Sequence, residues 1–168
     1  MNSVKFLVFA DLHHYPGIFL TDARKRLADI MQRADQVKAD CIISLGDFCH
    51  CPPKFPEIIE DSKKTKIPFM HILGNHDTDN APVKNVIKLY DMPDEYYFFD
   101  MNNFRFIMLN SNYYVDSGKY IPFEYGNYFK FPKTRESIPP EQLLWLEKSI
   151  KDSPYPCLLF SHGSIERE

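Results

Sequence analysis

The chain has 168 residues, of which 44% are hydrophobic and 26% are charged. This length fits a single domain over residues 1–168, and the composition excludes a disordered chain, a collagen-like repeat and a disulfide scaffold. Its 20 basic and 23 acidic residues give a net charge of −3, so the sequence carries no clear nucleic-acid signal. Because no apolar run approaches the ~20 residues of a membrane helix, we expect no membrane partner.

The N-terminus and the cysteines predict a cytoplasmic protein. The first apolar run leads directly into Asp11 and His13 without a small-residue cleavage site, which favours a strand over a signal peptide. Without a secretion signal, cysteines are expected as reduced thiols. The chain has four of them: Cys41, Cys49, Cys51 and Cys157.

The first 80 residues alternate between predicted strands and predicted helices. Apolar runs at 4–10, 41–45 and 68–73 are typical of strands buried on both faces. Helical spacing of apolar residues predicts a helix over 21–39, and a second helix is expected over 57–66. This α/β order indicates parallel strands whose carboxyl ends open on one edge of a sheet.

The second half of the chain has a different texture. A short helix is expected over 81–89, followed by two strands, YYFFD and NFRFIML, that are joined by a turn at 102–103. Residues 112–139 predict a long ordered loop. A helix over 141–151 and a last strand, CLLFS, complete the chain. The many aromatic residues before 131 predict a second packed layer, with a ring-lined substrate groove as the alternative.

Each of the first three predicted strands ends at side chains that can bind a metal ion. Asp11 and His13 follow the first strand, and Asp47 follows the second. Alone these signals are weak, because such residues are common in turns. The segment Gly-Asn-His-Asp at 74–77 is more demanding, since glycine allows a tight exit and the Asn75 carbonyl oxygen is a hard ligand. The parallel order predicts that these groups converge on one edge.

The blocks DLHH at 11–14, GD at 46–47, GNHD at 74–77 and SHG at 161–163 resemble, in order and spacing, the first four signature blocks of the calcineurin-like metallophosphoesterases. The segments YYFFD, FIMLNSNYY and IPPEQLLWLE are similar to a bacterial branch of that family. The resemblance implies an αββα sandwich. It also implies hydrolysis of phosphomonoesters or phosphodiesters by water that two divalent metal ions activate.

The resemblance also implies a metal-ligand set. Asp11 and His13 would bind the first ion, Asp47 would bridge both ions, and Asn75 and His162 would bind the second. Mixed oxygen and nitrogen donors suit Mn²⁺, Fe or Zn²⁺ better than an ion that selects thiolates.

Histidines outside this ligand set receive other predictions. In the family pattern His76 protonates or stabilises the leaving oxygen, and Asp77 would orient its imidazole. His14 and His50 lie beside the ligand loops and are weak candidates for substrate contact, with a surface or core position as the simpler interpretation. The segment Cys49-His50-Cys51 lacks zinc spacing, so packed thiols are expected there.

The fifth block of the family pattern, Gly-His-x-His, does not occur in this sequence. Without this block each metal ion would lose one ligand. The resemblance implies two ions in the full family site, and one ion or none is the alternative for this chain. We therefore interpret the chain as truncated, with the C-terminal part of the second sheet missing. The alternative function is a non-enzymatic remnant that binds a metal ion, a phosphate or a protein partner.

The end of the chain also predicts an association. If no further strands follow CLLFS, this hydrophobic strand lies at or near a raw sheet edge, and such edges recruit partners. We therefore expect a homo-oligomer formed through the C-terminal strand.

Overall fold

The computed structural model describes residues 3–18, 22–130 and 136–164 of the protein. Its strands are Phe6–Phe9 (β1), Cys41–Ser44 (β2), Phe69–His71 (β3), Tyr97–Met101 (β4), Phe104–Met108 (β5), Tyr113–Asp116 (β6), Lys119–Pro122 (β7) and Cys157–Phe160 (β8). Its α-helices are Ala23–Val37 (α1), Pro56–Ser62 (α2), Val83–Leu89 (α3) and Pro140–Lys151 (α4). The predicted first residue of α1, Thr21, lies outside the described residues.

The first sheet has the order β1-β2-β3 and is parallel throughout. The central strand β2 is fully buried, as its continuous apolar run predicts. The expectation that β1 is buried on both faces is wrong, because Val8 remains 38% exposed. Within the described residues β1 has a strand neighbour on one side only, so it forms an edge of the sheet.

The second sheet has the order β4-β5-β8. The turn between β4 and β5 consists of Asn102 and Asn103, whose φ angles of 52° and 65° match the left-handed turn that a tight hairpin needs. The two sheets pack face to face through phenylalanine rings. The Phe6 ring lies edge-on to Phe106 at 5.3 Å and to Phe160 at 5.8 Å between centroids.

Helices cover the outer faces of both sheets. On the second sheet Phe98 contacts Trp145 of α4, and the Arg105 guanidinium donates to the Ser149 carbonyl of the same helix. On the first sheet α1 and α2 are joined by Arg24, whose guanidinium donates two hydrogen bonds to the Asp61 carboxylate. The order helix, sheet, sheet, helix confirms the predicted αββα sandwich.

The prediction of a continuous loop over 112–139 is wrong in its first part. Strands β6 and β7 form an antiparallel hairpin there, and a short 3-10 helix follows at Asn127–Lys130. The hairpin turns at Ser117 and Gly118, both with positive φ, which is the turn signal that the sequence interpretation overlooked. Residues 131–135 of the predicted loop lie outside the described part of the chain.

Strand β8 lies at one end of the second sheet in the described residues, next to β5. Its Leu159 side chain is 39% exposed, as an edge position allows. Self-association through this strand stays a prediction. No helix among the described residues is long and apolar enough to cross a bilayer.

Candidate functional site

Four strand ends meet at one edge of the sandwich and bring the predicted site residues together. Two of the loops are tied by backbone hydrogen bonds from Asp11 N–H to the Gly46 carbonyl (3.1 Å) and from His13 N–H to the Asp47 carbonyl (2.8 Å). Three site residues also have left-handed backbone: φ is 57° at Asp11, 51° at His13 and 52° at Asp47. Such conformations cost about 1 kcal/mol or more each and are common at functional sites.

Two glycines allow the loops after β2 and β3 to approach each other. Gly46 has φ 97°, and a Cβ there would collide with the Gly74 backbone. A Cβ on Gly74 would in turn collide with the backbone nitrogen and carboxylate of Asp47. The glycines of the GD and GNHD blocks are therefore needed for close approach as well as for turning the chain.

Asp11, His13 and Asp47 form the first group of candidate metal-ligand atoms. One donor atom from each of these side chains lies within 4.8 Å of the others. The His13 Nε2 atom is 3.4 Å from an Asp11 oxygen and 3.8 Å from Asp47 Oδ2. Burial lowers the pKa of His13, and the charge of Asp47 opposes this effect. A lowered pKa favours the neutral imidazole that metal binding requires.

Asp47, Asn75 and His162 form the second group. His162 Nε2 lies 3.5 Å from Asp47 Oδ2 and 3.2 Å from Asn75 Oδ1. The His162 Nδ1–H donates to the Leu45 carbonyl at 2.8 Å, which leaves the lone pair on Nε2, the atom that faces the carboxylate. The Asn75 amide donates to the Tyr128 hydroxyl at 3.0 Å, which turns its oxygen towards His162. These oxygen and nitrogen donors fit a divalent cation.

Asp47 is the side chain that the two groups share. Its Oδ2 atom faces both His13 and His162, and its Oδ1 accepts the His76 backbone N–H at 2.8 Å. The side chain is 4% exposed, so burial and this hydrogen bond hold it in one orientation. The bridging role of Asp47 between two metal ions stays a prediction.

Asp77 does not orient His76, and this predicted pairing is wrong. Its fully buried carboxylate accepts the Tyr90 hydroxyl and four backbone N–H groups, those of Asp47, Phe48, Cys49 and Gly74. Burial and the nearby Asp47 raise the pKa of Asp77 to about 6, while the hydrogen bonds act in the opposite direction. Asp77 therefore connects the loops after β2 and β3 from beneath the site.

Asp79 is the carboxylate that holds His76. Its Oδ2 lies 2.7 Å from His76 Nδ1, and its Oδ1 accepts the Tyr128 hydroxyl at 2.7 Å. The sequence carried a signal for this pair, because residues three apart share one face of a 3-10 helix, and His76–Thr78 is such a helix. Tyr128 reaches the same imidazole nitrogen at 3.1 Å from a distant segment, and no local pattern predicted it.

His76 and Asp79 shift each other's pKa values towards the charged forms. Burial lowers the pKa of His76, but the hydrogen bond to Asp79 and the charges of Asp47 and Asp79 outweigh it, so the pKa lies above its ordinary value. Burial raises the pKa of Asp79, but hydrogen bonds from His50, His76 and Tyr128 hold it below its ordinary value. The pair therefore favours a protonated imidazole beside an ionised carboxylate.

The two weaker histidine candidates have different surroundings. His14 is 5% exposed, and its Nε2 lies 3.1 Å from the Glu57 carboxylate, so it is buried between loop and helix and does not line the site. His50 is also buried but belongs to the site. Its Nε2 is 2.8 Å from His13 Nδ1, and its ring stacks on His76 at 4.3 Å. Side chains of His50, His76 and Asp79 also bring donor atoms within 4.8 Å.

The buried thiol of Cys49 beside His50 is poorly suited to a soft-metal site. Cys49 is fully buried, and burial raises the pKa of its thiol, which disfavours the thiolate that binds metal ions. All four cysteines are free.

Glu136 is a site neighbour that the sequence interpretation missed. Its carboxylate oxygen lies against Gly163, where a Cβ would collide with it. Burial and the charge of Asp47 raise the pKa of Glu136, while His162 lowers it. A further carboxylate therefore stands beside the second ligand group.

A family model and a curated relative match this chain. The family model described as calcineurin-like phosphoesterase matches residues 4–168. The serine/threonine-protein phosphatase CPPED1 of Danio rerio is 30% identical in an alignment of 93 residues, and the match covers 49% of this chain and 30% of that protein. The chain thus spans about 30% of the length of the curated relative it matches.

A solved structure supports the same fold. The crystal structure of a dimetal phosphatase from Danio rerio superposes with a TM-score of 0.69 at 15% sequence identity. The superposition covers 97% of this chain and 70% of the other. The likeness confirms the sandwich architecture; the bacterial branch and the truncation stay predictions.

Proposed function

This chain belongs to the calcineurin-like phosphoesterase family, and from that premise we propose that it is a metal-dependent hydrolase of phosphomonoesters or phosphodiesters. The observation that carries the proposal is the position of Asp47 between two groups of ligand atoms, with His13 at 3.8 Å and His162 at 3.5 Å. Nothing in the comparisons favours the non-enzymatic alternative.

The proposed cofactors are two divalent ions, with Mn²⁺, Fe and Zn²⁺ as the candidates. Asp11, His13 and Asp47 would hold one ion, and Asp47, Asn75 and His162 would hold the other. When bound, such ions neutralise the charge of phosphate oxygens. They also lower the pKa of a bound water molecule to about 7, so that a nucleophile is available at neutral pH. The mixed donor set fits these ions and disfavours a thiolate-selecting one.

We propose that His76 is the general acid of the reaction. In the proposed reaction a water molecule gives one proton to solvent and its oxygen bonds to phosphorus, the bond from phosphorus to the ester oxygen breaks, and the leaving oxygen takes a proton from His76 Nε2. Asp79 and Tyr128 contact the other ring nitrogen, so they hold the ring with Nε2 free for this transfer. Asp77, which the sequence interpretation placed in the catalytic pair, supports the loops instead.

We also propose a cytoplasmic location. All four cysteines are free thiols, including Cys49 and Cys51, which are only two residues apart. Free thiols are typical of a reducing compartment such as the cytoplasm.

The test is hydrolysis of p-nitrophenyl phosphate and bis(p-nitrophenyl) phosphate by the purified protein with and without Mn²⁺. We expect metal-dependent turnover that Asp47→Asn reduces by more than about 100-fold, because loss of a shared ligand exceeds the 10- to 100-fold effect of outer-shell changes. Calorimetry with Mn²⁺ alone should show two ions per chain in the wild type and weaker binding in Asp47→Asn.

Asp35→Asn is the matched control, since Asp35 is an exposed aspartate on α1 and is not part of the ligand loops. It should retain both turnover and metal binding. Two results would overturn the proposal. One is equal turnover with and without added metal in protein treated first with a chelator, and the other is full turnover in Asp47→Asn.

A further inference from the structure

A row of four aromatic and imidazole rings lines one side of the candidate site; we name it the ring row, and it consists of Tyr15, His50, His76 and Phe129. Tyr15 stacks on His50 at 5.2 Å, and His50 stacks on His76 at 4.3 Å. Phe129 continues the row, with its ring centroid 5.9 Å from that of His76. The row therefore runs from Tyr15 through the buried His50 and through His76 to the exposed ring of Phe129.

Phe129 differs from the other rings in its exposure. It is 64% exposed, although the short 3-10 helix that carries it packs Tyr128 inwards. Its ring touches Tyr128 at 4.3 Å on one side. A single exposed phenylalanine is ordinary on a protein surface. This one stands beside the imidazole that would meet the leaving oxygen, so its free face borders the path of the leaving group.

We propose that Phe129 is a specificity-determining residue, and that the preferred substrates carry an aromatic ring on the alcohol that leaves. This inference rests on the proposed phosphoesterase function and names its substrate class. Aromatic pairs prefer centroid separations of about 4.5–7 Å. Because the Phe129 ring lies 5.9 Å from that of His76, a ring joined through one or two carbons to an ester oxygen at His76 can come within that range of Phe129.

The proposed preference is for a flat aromatic ring on the substrate and not for an apolar group of any shape. A ring pair adds about 0.5–1.5 kcal/mol beyond the burial of area, which corresponds to about a two- to tenfold preference over an aliphatic group of equal size. A simple aryl group and a nucleobase both offer a flat ring, the first through a short carbon linker and the second through a ribose, and the substrate pairs below separate them.

The first substrate pair is 2-phenylethyl phosphate and 2-cyclohexylethyl phosphate, assayed with Mn²⁺. Their alcohols differ in ring flatness but hardly in leaving-group strength, so the ratio of kcat/KM reports ring recognition. The second pair is a nucleoside 5′-monophosphate and ribose 5-phosphate, which tests a nucleobase. We expect the ring-bearing member of at least one pair to be preferred about two- to tenfold.

Variants assign this preference to Phe129. Phe129→Leu keeps apolar area and should abolish the preference, whereas Phe129→Tyr should keep it. Tyr125→Leu is the matched control, because Tyr125 is equally 64% exposed on the same segment and makes no ring contact with His76 in the described residues. It should leave the preference unchanged.

Binding provides a second measurement that needs no turnover. 2-Phenylethylphosphonate should bind the metal-loaded protein about two- to tenfold more tightly than 2-cyclohexylethylphosphonate, and Phe129→Leu should remove the difference. Equal kcat/KM within both pairs, or a preference that persists in Phe129→Leu, would overturn the inference while leaving the phosphoesterase function standing. Absence of metal-dependent hydrolysis with every ester would instead defeat the proposed function.

Discussion

Two regions border the candidate site and hold it by different means. The loops after β2 and β3 are buried and joined by backbone hydrogen bonds to one carboxylate, Asp77. The segment that carries Tyr128 and Phe129 contacts the site through side chains, and one of its rings is 64% exposed. The first region places the candidate metal ligands by fixing the backbone, whereas the second region surrounds His76 and borders the proposed path of the substrate.

This difference separates the expected effects of substitution. Backbone hydrogen bonds to a buried acceptor contribute to folding and to ligand geometry at once, so changes in the first region should lower stability and metal affinity together. Side-chain contacts at a half-exposed rim contribute little to folding. Changes in the second region should therefore alter the dependence of the rate on the substrate.

The largest effect is expected for Asp77→Ala. Four backbone N–H groups and the Tyr90 hydroxyl would lose their buried acceptor, and unpaired buried donors cost about 1–3 kcal/mol each. We expect the free energy of unfolding in urea to fall by at least about 3 kcal/mol, with weaker Mn²⁺ binding. Unchanged stability in this variant would remove the distinction between the two regions.

A smaller and more selective effect is expected for Asp79→Asn. The loss of the charged partner of His76 should slow hydrolysis of alkyl esters by about 10- to 100-fold, because a poor leaving group needs the proton. Esters of p-nitrophenol, whose leaving oxygen is stable unprotonated, should change much less. The measurement is kcat across a series of leaving groups. A uniform loss across the series would show that Asp79 acts on the metal ligands instead.

The smallest effect is expected for Tyr128→Phe. The hydroxyl contacts His76, Asp79 and Asn75, and loss of such hydrogen bonds costs about 0.5–1.5 kcal/mol, or about two- to tenfold in rate. The loss should again be larger for alkyl esters than for p-nitrophenyl esters. Tyr120→Phe on β7 is the control, since its ring is 37% exposed on the hairpin. An equal loss in both variants would contradict the assignment.

Much of the first region was predictable because its signals are local. An apolar strand, a glycine and a ligand side chain follow one another within a few residues, and parallel order brings the strand ends to one edge. The sequence therefore predicted that Asp47 and Asn75 would lie together, and the structure agrees. The hairpin of β6 and β7 was missed because its turn signal lay within a segment interpreted as loop.

The partners of these residues were not predictable in the same way. Asp77 and Asp79 are two acidic residues two positions apart. Local spacing favours Asp79 as the partner of His76, but only the packing of the fold decides that Asp77 is buried under the loops. The Tyr128 hydroxyl contacts His76, which lies 52 residues earlier in the chain, whereas the ring of the next residue, Phe129, is exposed. Residue types and strand order depend on local sequence, but the neighbours of a side chain depend on how distant segments pack.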